Sequence, residues 1–272
     1  MSYYTSLTGL HNAQTELNTI SNNLANAETT GFKKSTVNFA DIVAGSSYTN
    51  SKTQVGIGSL VKSIDQDFSG GSTKETGSAL DLEVNGNGFF TVVNPTNGQV
   101  FYTRNGNFST DGSGNIQDAD GNQLQIMAYD SATDTYATTP SNGTIPPTTS
   151  STPPATYTGV QVKADGSIVA SYSDATTATI GKVTLANFVS PTGLQQQGNQ
   201  QWTVTGFSGA PIYGVPGDGA HGNLISGALE QSNVDTATEM VGLITAQRYF
   251  QANAKAIDAN TQISDSVINL RS

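Results

Sequence analysis

The chain has 272 residues, of which only 12% are charged, a formal net charge of −10 and no cysteine. That length holds one large domain or two modest ones, and the missing cysteine excludes disulfides, thiolate chemistry and cysteine metal sites. Lys and Arg total 11 against 21 Asp and Glu, with no basic patch larger than Lys33–Lys34, so double-stranded nucleic acid and anionic membrane surfaces are poor partners.

Residues 2–27 form the first segment with helical periodicity. Leu7, Leu10, Leu17, Ile20 and Leu24 make one apolar stripe, widened by Ala13, Ala25 and Ala27. The other face is Asn, Gln, Thr and Ser, with very little charge. The segment lacks the basic start and continuous apolar core of a signal peptide, and no stretch of the chain approaches the ~18 apolar residues of a membrane helix. Export would therefore use a route other than the general secretory one. Asn22, Asn23 and Asn26 lie where the helix closes, Gly31 is placed as its terminator, and Phe32 as the anchor of the departing chain. Residues 31–79 read as an extended connector with little helix. Phe39, Ile42 and Val43 predict a short helix or turn, and the run from Val55 to Ile64 alternates poorly around Gly56 and Gly58.

From Leu80 the period becomes two. Leu80, Leu82 and Val84 alternate with Asp81, Glu83 and Asn85, the pattern of a half-buried strand. Asn85-Gly86-Asn87-Gly88 predicts a turn before Phe89–Val93, and Asn97-Gly98 a hairpin into Val100–Thr103. Further turns at Asp111-Gly112 and Asp120-Gly121 separate Phe108, Ile116 and a strand at 124–128, so an antiparallel meander is expected. Residues 131–156 are rich in Thr, Ser and Pro and predict a loop or a small, loosely ordered insertion. Strand patterns return at 158–162, 167–170, 181–188 and around Trp202 and Val204. A glycine-rich loop spans 206–222, and Leu224, Ile225, Ala228 and Leu229 lead to the last helix.

That helix runs over 234–270. Met240, Leu243, Gln247, Phe250, Ala254, Ile257, Thr261, Ser264 and Ile268 fall on a heptad seam, with Val241, Ile244, Ile263, Val267 and Leu270 as a second apolar flank. Asn233 or Asp235 can cap it, and Glu239 suits its first turns. A helix with two apolar flanks needs several neighbours, and alone it is marginal. The fold class is α+β: terminal helices forming an α-helical, coiled-coil-like module, with a mainly antiparallel β middle. The division expected is 1–30 with 232–272 as the helical module, 31–79 as connector, and 80–231 as a β domain with a small insertion around 131–180.

Catalytic patterns are missing. No Gly-x-Ser-x-Gly elbow occurs, His11 and His221 make no metal pair, and the Asp-Gly turns do not complete a calcium loop. Asp81, Glu83, Asp118 and Asp120 offer no paired acid and base. An enzyme is not expected, nor a metal or cofactor.

Two long signatures carry a resemblance. Ser6–Leu10, Ile20–Asn26 and Thr30–Lys33 at one end, with Gly227–Asp235 and Ala246–Lys255 at the other, resemble the terminal signatures of bacterial flagellar rod and hook proteins. Leu80–Phe90 and Phe101–Phe108 resemble the family's β part. Phe39-Ala40-Asp41 and the short connector that follows are most like a hook protein, here a short one with a reduced outer domain; a distal or proximal rod protein is the alternative. Membership implies a homopolymeric, flexible hollow tube that transmits torque from rod to filament. It also implies export by the flagellar type III apparatus, and the hook cap, distal rod protein and hook–filament junction protein as partners in the extracellular hook–basal body. In that reading Leu7, Leu10, Leu17, Ile20 and Leu24 pack with Met240, Leu243, Ile244, Phe250, Ile257 and Val267. Asn22, Asn23, Asn26, Gln247 and Asn253 make polar subunit contacts, while Gly31, Phe32 and Phe39 anchor the connector. An extracellular β-rich tail or adhesin-like module is the alternative of another class.

Overall fold

The structure, a computed structural model, describes residues 2–43, 56–149 and 154–269. It is α+β, as the periodicities predict, and divides into two compact units. One gathers Met1–Ala27, Lys33–Asp67 and Val234–Ser272; the other gathers Glu28–Phe32 and Phe68–Asn233.

The first unit contains helix α1 (Ser2–Ala25), strands β1 (Ser35–Val43) and β2 (Gly56–Gln66), and helix α2 (Thr236–Asn269). β1 and β2 form an antiparallel ladder with Val37 opposite Ile64 and Ala40 opposite Leu60, bulged at Asn38/Phe39. The short helix or turn expected at Phe39, Ile42 and Val43 is therefore a strand. The β-branched residues Val37, Ile42 and Val43 favour the extended backbone, and the bulge breaks the alternation that would have made the hairpin visible. Val55 lies outside the described residues.

The second unit is the β part. It opens with β3 (Thr73–Glu75), β4 (Leu82–Asn85), β5 (Phe89–Val93) and β6 (Val100–Thr103). The short pair β7 (Ser109–Thr110) and β8 (Ile116–Gln117) leads into the long β9 (Gln123–Asp130). Against β9 lie β10 (Thr135–Tyr136) and β11 (Ser141–Asn142), followed by β12 (Tyr157–Val162), β13 (Ser167–Tyr172) and β14 (Thr177–Val183). Next come β15 (Leu185–Asn187), β16 (Gln195–Gly198), β17 (Gln201–Thr203) and β18 (Ile212–Gly214), and the unit closes with β19 (Asn223–Ser226) and β20 (Ala228–Glu230).

The expected meander is only partly present. The main sheet runs β12-β13-β14-β9-β5-β6-β17-β16, so strands far apart in sequence are neighbours, and β4 pairs with β19 and β3 with β20. Turn residues identify local hairpins but carry no signal for these distant pairings. The Asn97-Gly98 turn is wider than a two-residue hairpin, because Asn94 N–H bonds the Gln99 carbonyl at 2.9 Å. The glycine-rich 206–222 stretch contains β18, paired with β15. The 131–156 segment also contributes to the core: Ile145 and Ala155 are buried, and only 150–153 lie outside the described residues.

Two cores follow from adjacent aromatics on opposite sheet faces. Phe90 joins Leu82, Val92, Ile116, Leu124, Ile126, Ile168 and Leu185. Phe89 joins Tyr102, Phe188 and Trp202, with Phe89 and Trp202 edge-to-face at 5.8 Å, an arrangement the ring quadrupoles favour. Leu82–Val84, expected to be half-buried, is buried on both faces. Glu83 is covered because it accepts a bond from the Thr73 hydroxyl at 2.8 Å.

The polar interior centres on Arg104 and Glu230, 3% and 1% exposed. Their side chains meet at 3.4 Å, and Arg104 also donates to the carbonyls of Val84 at 3.3 Å and Gly86 at 2.8 Å. The guanidinium lies 5.1 Å from the Phe89 ring centre. Burial pushes the Arg104 guanidinium below its ordinary value, opposed by the charges of Glu230 and Glu83. The Glu230 carboxylate accepts the Gly71 N–H at 2.9 Å and its carbonyl accepts the Gly31 N–H at 2.8 Å. Gly31 is thus not the terminator of α1, which ends at Ala25. Its φ of +70° and the nearness of Asn105 and Arg104 backbone, 2.7–2.9 Å from a built Cβ, require glycine at this crossing.

Two outcomes are expected from urea denaturation of the β unit. Arg104→Met strands a buried carboxylate and costs about 3–5 kcal/mol, part of which returns in the double variant with Glu230→Leu; a double variant as damaged as the single one would contradict a charge-pairing role. Gly106→Ala places a Cβ 1.7 Å from the Leu82 carbonyl oxygen, whereas Gly112→Ala meets nothing within 4 Å. The first therefore costs about 3 kcal/mol and the second is nearly neutral, a contrast that equal stabilities would refute.

Candidate functional site

The terminal helices form the surface that the sequence marks for assembly. They run antiparallel: a Cβ built on Gly9 falls 2.8 Å from Asn253 Oδ1, one on Gly242 falls 3.3 Å from Ile20 Cδ1, and Asn23 reaches Glu239. Small residues set the closeness of the contact. Gly9 and Ala13 on α1 and Gly242 and Ala246 on α2 lie along it, with Ala13 and Ala246 buried. Such residues let two helix backbones approach, as ridges meet shallow grooves.

This line is offset from the leucine stripe. Of the α1 residues predicted to pack, Ile20 is buried, while Leu7, Leu10, Leu17 and Leu24 are half-buried. On α2, Leu243, Phe250 and Ile257 are half-buried, and Met240 and Ile244 are 53% and 50% exposed. The side chain of Val267 lies outside the described residues. Val241, Tyr249, Ile263 and Ile268 are exposed as well. The helix pair therefore covers one narrow seam and leaves in water residues of both apolar lines, Met240 and Ile268 of the heptad seam and Val241, Ile244 and Ile263 of the second flank.

The polar candidates divide. Asn23 is 1% exposed, and it clamps Ser35 by donating to its carbonyl and accepting from its N–H, both at 2.9 Å. It also donates to Glu239 at 3.3 Å. Its expected role as a subunit contact is corrected: the amide holds the start of β1 inside the protomer. Asn26 bonds the Asn22 carbonyl at 2.9 Å and closes α1, the task the sequence assigned to Gly31. Asn22 and Gln247 are exposed, and Asn253 is half-buried against Gly9. Phe32 is buried, whereas Phe39 is 41% exposed. Phe39 borders a groove of about 400 Å³ with Asn12, Glu16, Ser59, Tyr249 and Asn253, and Asn12 donates to the Ser59 hydroxyl at 2.7 Å. Burial pushes the Glu16 carboxyl up.

Asp235 caps α2 by accepting the Thr238 N–H at 2.9 Å. That bond leads the causes holding its carboxyl below the usual range. Carboxylates elsewhere serve turns. Asp111 accepts the Ser113 and Asn115 N–H groups and Asp118 those of Asp120 and Asn122. Asp81 is held by Asn107, and the His221 ring bonds the carbonyls of Asp218 and Ile212. Among the described residues, no group of three His, Cys, Asp or Glu could hold a metal ion, and no helix is long and apolar enough to cross a membrane. Sequence reasoning missed the Asn23 clamp and the small-residue seam; alanine and glycine at i, i+4 spacing was the available signal.

Comparison with known proteins fits this arrangement of ends and middle. Residues 4–33 match the flagella basal body rod protein family, 83–170 the flagellar hook protein FlgE/F/G D1 domain, and 225–270 the flagellar basal body rod FlgEFG protein C-terminal family. The chain is 28% identical to the flagellar hook protein FlgE of Salmonella typhimurium over 411 aligned positions, covering all of both chains. It is 35% identical to the flagellar basal-body rod protein FlgG of Bacillus subtilis over 282 positions, covering 99% of this chain and 98% of that one, and 33% identical to FlgG of Caulobacter vibrioides, covering 98% of each. By these matches, spread from one terminal helix to the other, the chain belongs to the flagellar rod and hook protein family.

Proposed function

We propose that the chain is the structural subunit of the flagellar hook, polymerising into a flexible hollow tube that transmits torque from rod to filament and encloses an export channel. The observation that carries this reading is the uncovered apolar surface of α2: Met240, Val241, Ile244, Tyr249, Ile263 and Ile268 are each at least half exposed. Exposed apolar surface is unfavourable by roughly 25 cal/mol per Å², and patches of this kind mark contact sites. Neighbouring copies supply the cover. In the tube the helices form a coiled-coil-like lining, with Leu7, Leu10, Leu17 and Leu24 meeting the flanks of adjacent subunits and Asn22, Gln247 and Asn253 making polar contacts. The partners are the hook cap, the distal rod protein, the hook–filament junction protein and the type III export apparatus, and the location is the extracellular part of the flagellum.

Hook over rod is supported by Phe39-Ala40-Asp41 close after Gly31-Phe32-Lys33 and by the short span from there to Phe68. Few charges on the helix surfaces suit contacts that slide as a tube bends. A rod subunit is the second reading, favoured by size. The FlgG relatives align over 282 positions, close to the 272 of this chain, whereas the hook alignment runs to 411.

Electron microscopy of the polymerised protein tests both: a curved hollow tube supports the hook, a straight rigid tube the rod, and compact monomers under all conditions neither. Met240→Glu combined with Ile244→Glu is expected to abolish the polymer while the thermal transition of the β unit stays in place. Normal tubes from that variant would remove the α2 flank from the interface. Asn23→Ala is expected to weaken the helical unit itself by about 1 kcal/mol, because it removes both Asn23 bonds to the half-buried Ser35 backbone. Amide exchange at Ser35 reads the effect, and unchanged protection would return Asn23 to the subunit contact.

A further inference from the structure

One ionisable residue sits in the middle of the helix seam. Gly9, Ala13, Glu16, Ile20 and Asn23 follow one another along α1 at the alternating spacing of four and three that keeps side chains on one helix face. Four of them form the contact already described: Gly9 faces Asn253, Ile20 faces Gly242, Asn23 bonds Glu239, and Ala13 is buried. Glu16 holds the central place. It is half-buried and lines a hollow toward each end of the seam. One, of about 180 Å³, is shared with Ile20, Asn23 and Glu239; the other, of about 400 Å³, with Gly9, Ala13, Tyr249 and Asn253.

The Glu16 carboxyl is poorly provided for. Among the described residues it accepts no hydrogen bond and meets no cation. From α2, Glu239 and Tyr249 line the same hollows, and Glu239 is engaged by Asn23. β1 and β2 bring no charged side chain to either hollow. Asp65 accepts bonds from Asn38 and Ser63 instead, and Lys34 pairs with Asp67. Asp41 and Lys62 on the strands, Arg248, Lys255, Asp258 and Asp265 on α2, and His11 on α1 are exposed and border neither hollow. Burial alone pushes the Glu16 carboxyl above its ordinary value, because an ion loses more than a neutral acid when water is withdrawn.

We propose that Glu16 is a proton-operated catch in the helix pair: α1 and α2 close on each other when its carboxyl takes up a proton, and loosen when it ionises. Closing the seam withdraws water from the carboxyl, so pairing and protonation favour one another. With the folded value above the unfolded one, the stabilisation is full below the ordinary 4.5 and is lost as pH rises through the raised folded value. The Asp235 cap works with the opposite sign. Its carboxyl is held below the ordinary 3.8, so its contribution is present above that value and lost at lower pH than the range in which Glu16 responds. A polar residue in a helix seam lowers stability while fixing the register; here the size of that loss is set by pH.

Amide exchange of the full chain reads the catch at Ala13 and Ala246, the buried alanines of the seam, as protection factors corrected for the intrinsic pH dependence of exchange. Between about pH 5 and about pH 8 the protection of the unsubstituted chain is expected to fall severalfold. Glu16→Gln, close in shape and without charge, is expected to hold the acid level of protection throughout. Glu239→Gln is expected to keep the profile of the unsubstituted chain. His11 remains in both variants, so a slope belonging to it would survive Glu16→Gln. That survival would overturn the proposal, as would a flat profile in the unsubstituted chain or a slope removed by Glu239→Gln. Seam amides without protection at about pH 5 would overturn it as well, since the catch is then expected to be closed.

Discussion

The β unit depends on one buried carboxylate. Glu230 receives the Arg104 guanidinium and the Gly71 N–H on its side chain and the Gly31 N–H on its carbonyl. These bonds reach the end of β6, the segment before β3, and the segment after α1, while Glu230 itself ends β20. A charge in a low-dielectric interior is tolerated only when its partners are fixed. The requirement runs outward to Gly31 and Gly106, whose missing side chains let backbones cross within contact distance of Arg104–Asn105 and Leu82. The geometry of the crossing is thus electrostatic at its centre and steric at its edge.

Around that centre the molecule divides its labour by polarity. The β unit buries two aromatic and aliphatic cores on opposite sheet faces and satisfies its turns with Asp and Asn side chains. The helical unit buries a seam of glycine and alanine, the Asn23 clamp, Ile20 and the Lys33 side chain, and little else among the described residues. Met240, Val241, Ile244, Tyr249, Ile263 and Ile268 of α2 are left exposed. Low overall charge, which in an ordinary monomer would threaten solubility, suits a member of a family of assembling rod and hook proteins.

Much of this was legible in the sequence because period is a local property. The terminal helices, the 80–93 strands, the return strands at 158–188 and the Asp235 cap all announce themselves within a few residues. What was illegible depended on distance. Nothing in Leu82–Asn85 names Asn223–Ser226 as its partner, and nothing in Glu83 reveals the cover given by Thr73. The pairing of β1 with β2 was hidden by its bulge and glycines. Gly31 was correctly singled out but for the wrong task, because a left-handed glycine reads the same at a helix end and at a chain crossing. Asn23, among several asparagines, had no local mark separating a buried clamp from a surface amide.

The distant pairings also govern when the β unit can form. Thr73–Glu75 must wait for Ala228–Glu230, and Leu82–Asn85 for Asn223–Ser226. Folding rates fall as contacting residues lie further apart along the chain, because loop-closing entropy is lost before the contacts return it. A chain delivered N-terminus first can therefore pair its main sheet once Gly214 has emerged, while β3 and β4 stay without partners until residue 230 has. The act of completion thus falls to the last segment before α2.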